Sequence, residues 1–288
     1  MPPESPEPTR PFRWDLVRRD QLGSLLGGTP EFFPEYLDEM VHCAARILAL
    51  SADGDLYFVG RSADDLHDLL SGVLSGTSWR DRVRQLPLSL YQGDGARLTP
   101  AETRQLRVNL DADGLAPAAL MRRDRPVVFT DLVASGSTFG NLHRLLRDWI
   151  AEERAPWDVI RTKLRYIGVT GRRRTSPNTW RWQQHAEWTA ELPARAVRNV
   201  SMDERRWQYL AAAEPKITPS FRRTRWLDPS VAQPRHDDET RKALASAVAL
   251  VEHGRGPEVR ARILDRLRAE PAAKERWLRT FLPELRPR

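Results

Sequence analysis

"VVFTDLVASGSTFGN", residues 127–141, is the stretch from which the rest of the chain can be read. Val127, Val128 and Phe129 make the continuous apolar run expected of a strand buried on both faces. Asp131 closes the run, Ala134, Ser135, Gly136, Ser137 and Thr138 follow, and "GNLHRLLRDWIAE" (140–152) continues as an amphipathic helix. A strand, a turn of small residues and a helix form half of a parallel-sheet unit. Such a turn leaves backbone N–H groups without partners, all directed at one spot. Small side chains let an anion approach those groups, and the hydroxyls of Ser135, Ser137 and Thr138 add donors. Gly136 can adopt backbone angles that other residues resist. The turn is therefore expected to cradle one phosphate group, although it is not a Walker loop, because Gly-x4-Gly-Lys is absent. Asp131 would stand at the carboxyl edge of the strand, where α/β folds place ligands, able to accept hydrogen bonds from sugar hydroxyls.

The same pattern recurs upstream. "DLYFVG" (55–60) reads as a strand, and "RSADDLHDLLSGVL" (61–74) as a helix with Leu66, Leu69, Leu70 and Val73 on one face. Ser62 and Asp65 have the spacing of a capping box at its start. "LRYIGVTG" (164–171) is a third strand, and Pro30 to Leu50 carries a helical stripe including Leu37, Met40, Val41, Ala44, Ile47 and Leu48. Between them, residues 79–125 are ambiguous, with "LPLSLY" (86–91) a candidate further strand and 111–119 open to loop or helix. The fold class expected is α/β: a mainly parallel sheet flanked by helices over residues 30–235. Residues 1–29 read as a lead-in, the first eleven disordered. Residues 236–288 read as an α-helical extension of three helices punctuated by Gly254 and Pro271, either a subdomain or an appendage on the sheet.

"VVFTDLVASGSTF" resembles the phosphoribosyl pyrophosphate (PRPP) motif of type I phosphoribosyltransferases. In that family four apolar residues lead into two acidic ones, then two apolar residues and a T/S-x-G-x-T-type phosphate loop. The resemblance implies that Ala134, Ser135, Gly136, Ser137 and Thr138 hold the ribose 5-phosphate and that Asp131 lies near the ribose and the reacting centre. It also implies magnesium entering with PRPP and held mainly by it, with no metal ligands of the protein's own. One departure stands out: the family uses both acids on the ribose hydroxyls, and here Thr130 occupies the first acidic position and offers only a hydroxyl. That leaves two readings on one fold, a transferase that passes a phosphoribosyl group to an unidentified acceptor, and a non-catalytic nucleotide sensor. The family's pyrophosphate loop would correspond to Gly60, Arg61 and Ser62, with Arg61 as a charged donor; the alternative is an ordinary turn whose Ser62 caps a helix. Beyond the third strand, Trp180 or Trp182 would stack on an acceptor base, or else pack a hydrophobic patch. The resemblance also makes a homodimer a possible assembly.

Composition sets outer limits. The net charge of +7 and pI near 10.0 admit nucleic acid as a partner, but the arginines are spread through the chain, with one tight run at Arg172, Arg173 and Arg174. Lysine occurs only at positions 163, 216, 242 and 274, the arginine bias expected of GC-rich coding. No recognised nucleic-acid module appears. No apolar run approaches the roughly 20 residues of a membrane helix, and "MPPESPEPTR" lacks a signal-peptide core, so the protein is expected to be cytoplasmic with no membrane partner. The lone Cys43 excludes an internal disulfide and falls on the apolar face of a predicted helix, as a buried inert thiol would. His67, His185 and Glu187 do not have metal-site spacing.

Overall fold

The computed structural model describes residues 6–26, 36–90, 98–172 and 181–286. Five strands form one all-parallel sheet: β1 (Asp55–Val59), β2 (Val83–Leu86), β3 (Val127–Leu132), β4 (Leu164–Arg172) and β5 (Val197–Asp203), in the order β2-β1-β3-β4-β5. The helices are α1 (Leu37–Leu50), α2 (Asp64–Leu74), α3 (Pro100–Ala112), α4 (Pro117–Arg122), α5 (Ser137–Glu152), α6 (Trp157–Ile160), α7 (Glu204–Gln208), α8 (Asp238–Arg255), α9 (Pro257–Ala269) and α10 (Arg276–Phe281).

Every residue of β3 is buried, as a central strand covered on both faces requires. Alternation along β1 sends Leu56 and Phe58 to the core shared with α1 and α2, and Tyr57 and Val59 to the core shared with α3 and α5. The α-helical C-terminal region adds a layer over the first of these. α9 contributes Val259, Ile263, Leu264 and Leu267 to the same core as Met40, Ile47 and Leu48 of α1. α8 crosses α2 with backbones nearly touching: a Cβ on Gly72 would lie 2.0 Å from the Val251 carbonyl oxygen, and one on Gly254 2.3 Å from that of Leu69. α9 and α10 thus share the main core, while α8 packs on α2 and builds a smaller core with Trp14, Leu16 and Leu22. Among the described residues no helix is long and apolar enough to cross a membrane.

The structure departs from the sequence reading in five places. β2 ends at Leu86 and does not run through 86–91, because Pro87 has no N–H to continue a ladder; Leu88 and Leu90 are buried all the same. β5 and α3 were not anticipated. β5 is an edge strand with exposed Arg198 among its residues, so its apolar period is weak. α3 opens on a capping box, Thr99 Oγ1 accepting from the Glu102 amide while Glu102 accepts from the Thr99 amide. α2 starts at Asp64 with no side-chain cap, so Ser62 and Asp65 form no capping box. Finally, residues 9–22 of the supposed lead-in pack onto the body. Thr9 N donates to Asn109 Oδ1 at 2.8 Å, Arg13 pairs with Asp68 at 2.6 Å, and Trp14, Leu16 and Leu22 are buried against α8.

Candidate functional site

The strand order reverses its direction of growth between β1 and β3, since β2 lies on one side of β1 and β3 on the other. A crevice opens at the carboxyl ends of two such strands, and this is where open α/β sheets bind ligands. The two turns singled out by sequence both leave the sheet there.

From β1 comes Gly60 in a left-handed conformation, φ +73°, its amide donating to the Leu86 carbonyl at 2.9 Å. Arg61 Nη1 donates to the Thr218 carbonyl oxygen at 2.8 Å, and burial pushes its guanidinium pKa down. Ser62 Oγ donates to Asp131 Oδ1 in a short hydrogen bond. The two sequence-predicted turns are therefore joined directly through side chains 69 residues apart. Asp131 is only 4% exposed, and burial raises its carboxyl from the ordinary 3.8 to about 7, against the opposing pull of the Ser62 hydroxyl and the Leu132 amide. Ser62 is half-buried, so it is the member of the pair nearer to solvent.

Thr130 alternates to the opposite face of β3. It is fully buried, and its hydroxyl has no hydrogen-bond partner among the described residues. It does not join the Ser62–Asp131 pair.

The turn after β3 is solvent-accessible. Ala134 and Ser135 are exposed and Ser137 and Thr138 half-buried. Gly136 takes φ +82° as the N-cap of α5, and a Cβ there would lie 2.2 Å from Trp182 Cε3. α5 begins at Ser137, three residues before the predicted 140, which puts the loop's hydroxyls in the first helical turn. Ser137 N reaches Ser135 Oγ at 3.4 Å, a long contact. The amides of Gly136, Thr138 and Phe139 carry no hydrogen bond among the described residues. The positive end of the α5 dipole thus coincides with unused donors and accessible small side chains.

Trp182 is a structural residue. Its ring is wholly buried against Gly136, 5.7 Å from the Phe139 ring, and its Nε1 donates to Asn199 Oδ1 at 2.9 Å. The reading of Trp182 as a stacking surface for an acceptor is accordingly corrected: it has no exposed face to offer. Trp180, Arg173 and Arg174 lie outside the described residues.

Sequence reasoning missed the charged groups that surround the crevice. Lys216 pairs with buried Glu214, whose carboxyl is pushed up to about 10 by burial and by Asp65. Asp65 Oδ2 accepts from the Tyr36 hydroxyl at 2.7 Å, and Asp64 accepts from Arg13 Nη1 at 3.2 Å and from Gln85 Nε2 at 2.8 Å. Lys216 and Asp64 also act electrostatically on Asp131, with opposite signs. Arg13 and Lys216 come from segments distant in sequence, so no local motif could have flagged them. His67 bonds its neighbour Asp68 at 3.0 Å, and His185 and Glu187 fall in successive 3-10 turns. The Cys43 thiol is buried and pushed up to about 12, an inert position.

A cavity of about 360 Å³ adjoins Gly60 and is lined by Arg13, Asp64, Arg84, Gln85 and Thr218. Among the described residues no group of three or more His, Cys, Asp or Glu side chains is placed to hold a metal ion. Comparison with protein-family models, with curated proteins and with solved structures gave no match.

Proposed function

We propose that the crevice between β1 and β3 binds a sugar-borne phosphate, as carried by PRPP or a nucleotide 5'-phosphate. The observation that carries this reading is the set of unbonded amides at Gly136, Thr138 and Phe139, at a helix N-terminus, beside three hydroxyls and at a topological switch point. The resemblance to the PRPP motif supplies the sugar.

The reaction proposed is phosphoribosyl transfer. The bond from ribose C1 to the pyrophosphate oxygen breaks, its electron pair leaving with pyrophosphate, while an acceptor nucleophile bonds C1 and gives up a proton. The chain's part is to hold the 5-phosphate so that C1 is fixed, and to exclude water from an oxocarbenium-like transition state. The Ser62–Asp131 pair is placed to handle the proton: Ser62 is the reachable hydroxyl, and a carboxyl shifted to about 7 can take a proton at neutral pH. Magnesium would accompany PRPP; no three-carboxylate cage is found among the described residues, and no step is assigned to the ion.

A second reading, a sensor on the same fold that binds without transfer, is favoured by two observations. Thr130 offers no carboxylate and is turned into the core, and Arg61 is engaged by the Thr218 carbonyl. Calorimetry with PRPP and magnesium, paired with an assay for released pyrophosphate, separates the readings. Binding with release on addition of candidate acceptors supports the transferase, and binding without release supports the sensor. Ser135→Asp places a negative charge in the cradle at an exposed position and is expected to weaken PRPP binding at least roughly tenfold. Unchanged binding would remove both readings.

A further inference from the structure

A second cavity lies along the free edge of the sheet. β5 is the last strand, and its residues 197–201 form the floor of a cleft of about 640 Å³. Three chain segments far apart in sequence bring cations to it: Arg46 from α1, Arg181 from the approach to Trp182, and Arg198 from β5. The acid among its lining residues is Glu270, already bonded to Arg46. Arg181 and Arg198 are exposed and have no carboxylate partner among the described residues, unlike Arg13, Arg82, Arg123 or Arg223 elsewhere.

The surroundings are positive as well. His42, on the cleft wall, is held below its ordinary pKa by burial and by Arg266, Arg46 and Arg172, with Glu39 opposing. Arg198 also raises the local potential at Arg165, whose buried Nε has no partner among the described residues. A concave site lined by one sign of charge concentrates counter-charged ligands. Neutral donors complete it. Gln183 Oε1 accepts from Asn199 Nδ2 at 2.9 Å, which leaves the Gln183 amide NH2 as the end available to a ligand.

We propose that this cleft is a second ligand site, distinct from the β1–β3 crevice, that takes a small polyphosphate or sugar polyphosphate. Guanidinium groups from separate segments match the several oxygens of such an anion, and the volume falls in the range of small-molecule sites. The described lining contains no Phe, Tyr or Trp ring, and its one imidazole, His42, is outnumbered by guanidinium groups, which favours phosphate-rich ligands over bases that need a broad stacking surface.

The cleft is wired to the first site. Asn199 accepts from Trp182 Nε1 at 2.9 Å with the same side chain that donates to Gln183, and the Trp182 ring fixes the Gly136 turn. A ligand that draws Gln183 toward itself shifts the group on which the phosphate loop rests. This coupling rests on the reading of the crevice given above; the binding claim does not.

Inorganic pyrophosphate is the probe. It is titrated calorimetrically, at matched ionic strength, into the wild-type chain, into Ser135→Asp, and into an Arg181→Glu/Arg198→Glu double variant whose exposed positions leave the core untouched. The cleft predicts that Ser135→Asp retains a binding event and that the double variant loses that event by at least about tenfold, with Arg181→Gln/Arg198→Gln losing less. Equal binding by the wild type and the double variant overturns the proposal. Loss of all binding in Ser135→Asp overturns it too, by placing pyrophosphate in the crevice alone. If a single-stranded oligonucleotide displaces pyrophosphate with a steep salt dependence, the ligand class is wrong and the cleft is a nucleic-acid contact.

Discussion

The two turns at the carboxyl edge of the sheet start alike and end differently. Each carries a glycine with positive φ, +73° at Gly60 just past β1 and +82° at Gly136 before α5. After β1, the polar groups are spent internally. Gly60 donates to Leu86, Arg61 to Thr218 and Ser62 to Asp131. After β3, three amides stay unbonded among the described residues beneath small, accessible side chains. The first N–H groups of a helix have no intrahelical partner, and here they lie beside accessible hydroxyl side chains, an arrangement suited to an anion. The first turn braces the crevice, and the second is the one proposed to meet a ligand. The contrast also explains why Ser62, spaced for a helix cap, caps nothing: its hydroxyl stabilises a buried carboxyl, an acceptor that otherwise goes short of donors.

Substitution at the two glycines breaks the comparison most sharply. Gly136→Ala forces both a left-handed alanine and a methyl 2.2 Å from the Trp182 ring, and should cost roughly 3–5 kcal/mol in urea denaturation. Gly60→Ala meets nothing nearer than the Leu88 carbonyl at 3.5 Å, so only the backbone penalty applies, about 1–2 kcal/mol. Equal losses would mean that Trp182 does not set the shape of the turn after β3.

Next in size is the pH dependence of Asp131. Its carboxyl is raised from 3.8 to about 7 in the folded chain, so between those values the folded state binds more proton than the unfolded state. Its contribution to stability is therefore fully favourable below about 3.8 and is lost as pH climbs toward 7. Asp131→Asn removes that loss, and the variant should gain on the wild type by on the order of 2–4 kcal/mol across the window. A pH-independent difference would contradict the buried, protonatable carboxyl. Ser62→Ala should extend the wild-type fall to higher pH and deepen it, because it takes away a donor that lowers the carboxyl's pKa.

The smallest effect is expected at Thr130. Replacement by valine keeps the shape and deletes a hydroxyl that has no partner among the described residues, so stability should change by less than about 1 kcal/mol and ligand binding not at all. A large loss of binding would bring Thr130 back to the ribose.

What the sequence displayed follows the same physics. β1, β3 and β4 were legible because strands covered on both faces must be continuously apolar, and the α/β class followed from them. β5 was not, because on an edge strand solvent replaces one neighbour and residues such as Arg198 and Asn199 interrupt the pattern. α3 carried a readable signal in Thr99, Pro100 and Glu102, which a mostly polar helix behind it obscured. At the site, Asp131 and the 134–138 loop were visible because a βα turn is contiguous in sequence. Arg13, Tyr36, Glu214 and Lys216 were not, since only folding brings them to α2 and the crevice. Trp182 was visible as a residue but not in its role, because burial against a glycine leaves no local mark.

The most direct test is to follow backbone amides by nitrogen-15 NMR while ribose 5-phosphate is added to the full chain. The account predicts that Gly136, Thr138 and Phe139 shift together and saturably, that Gly60 moves far less, and that Ser135→Asp abolishes the response. Amides of 136–139 that stay fixed while other residues shift would contradict it.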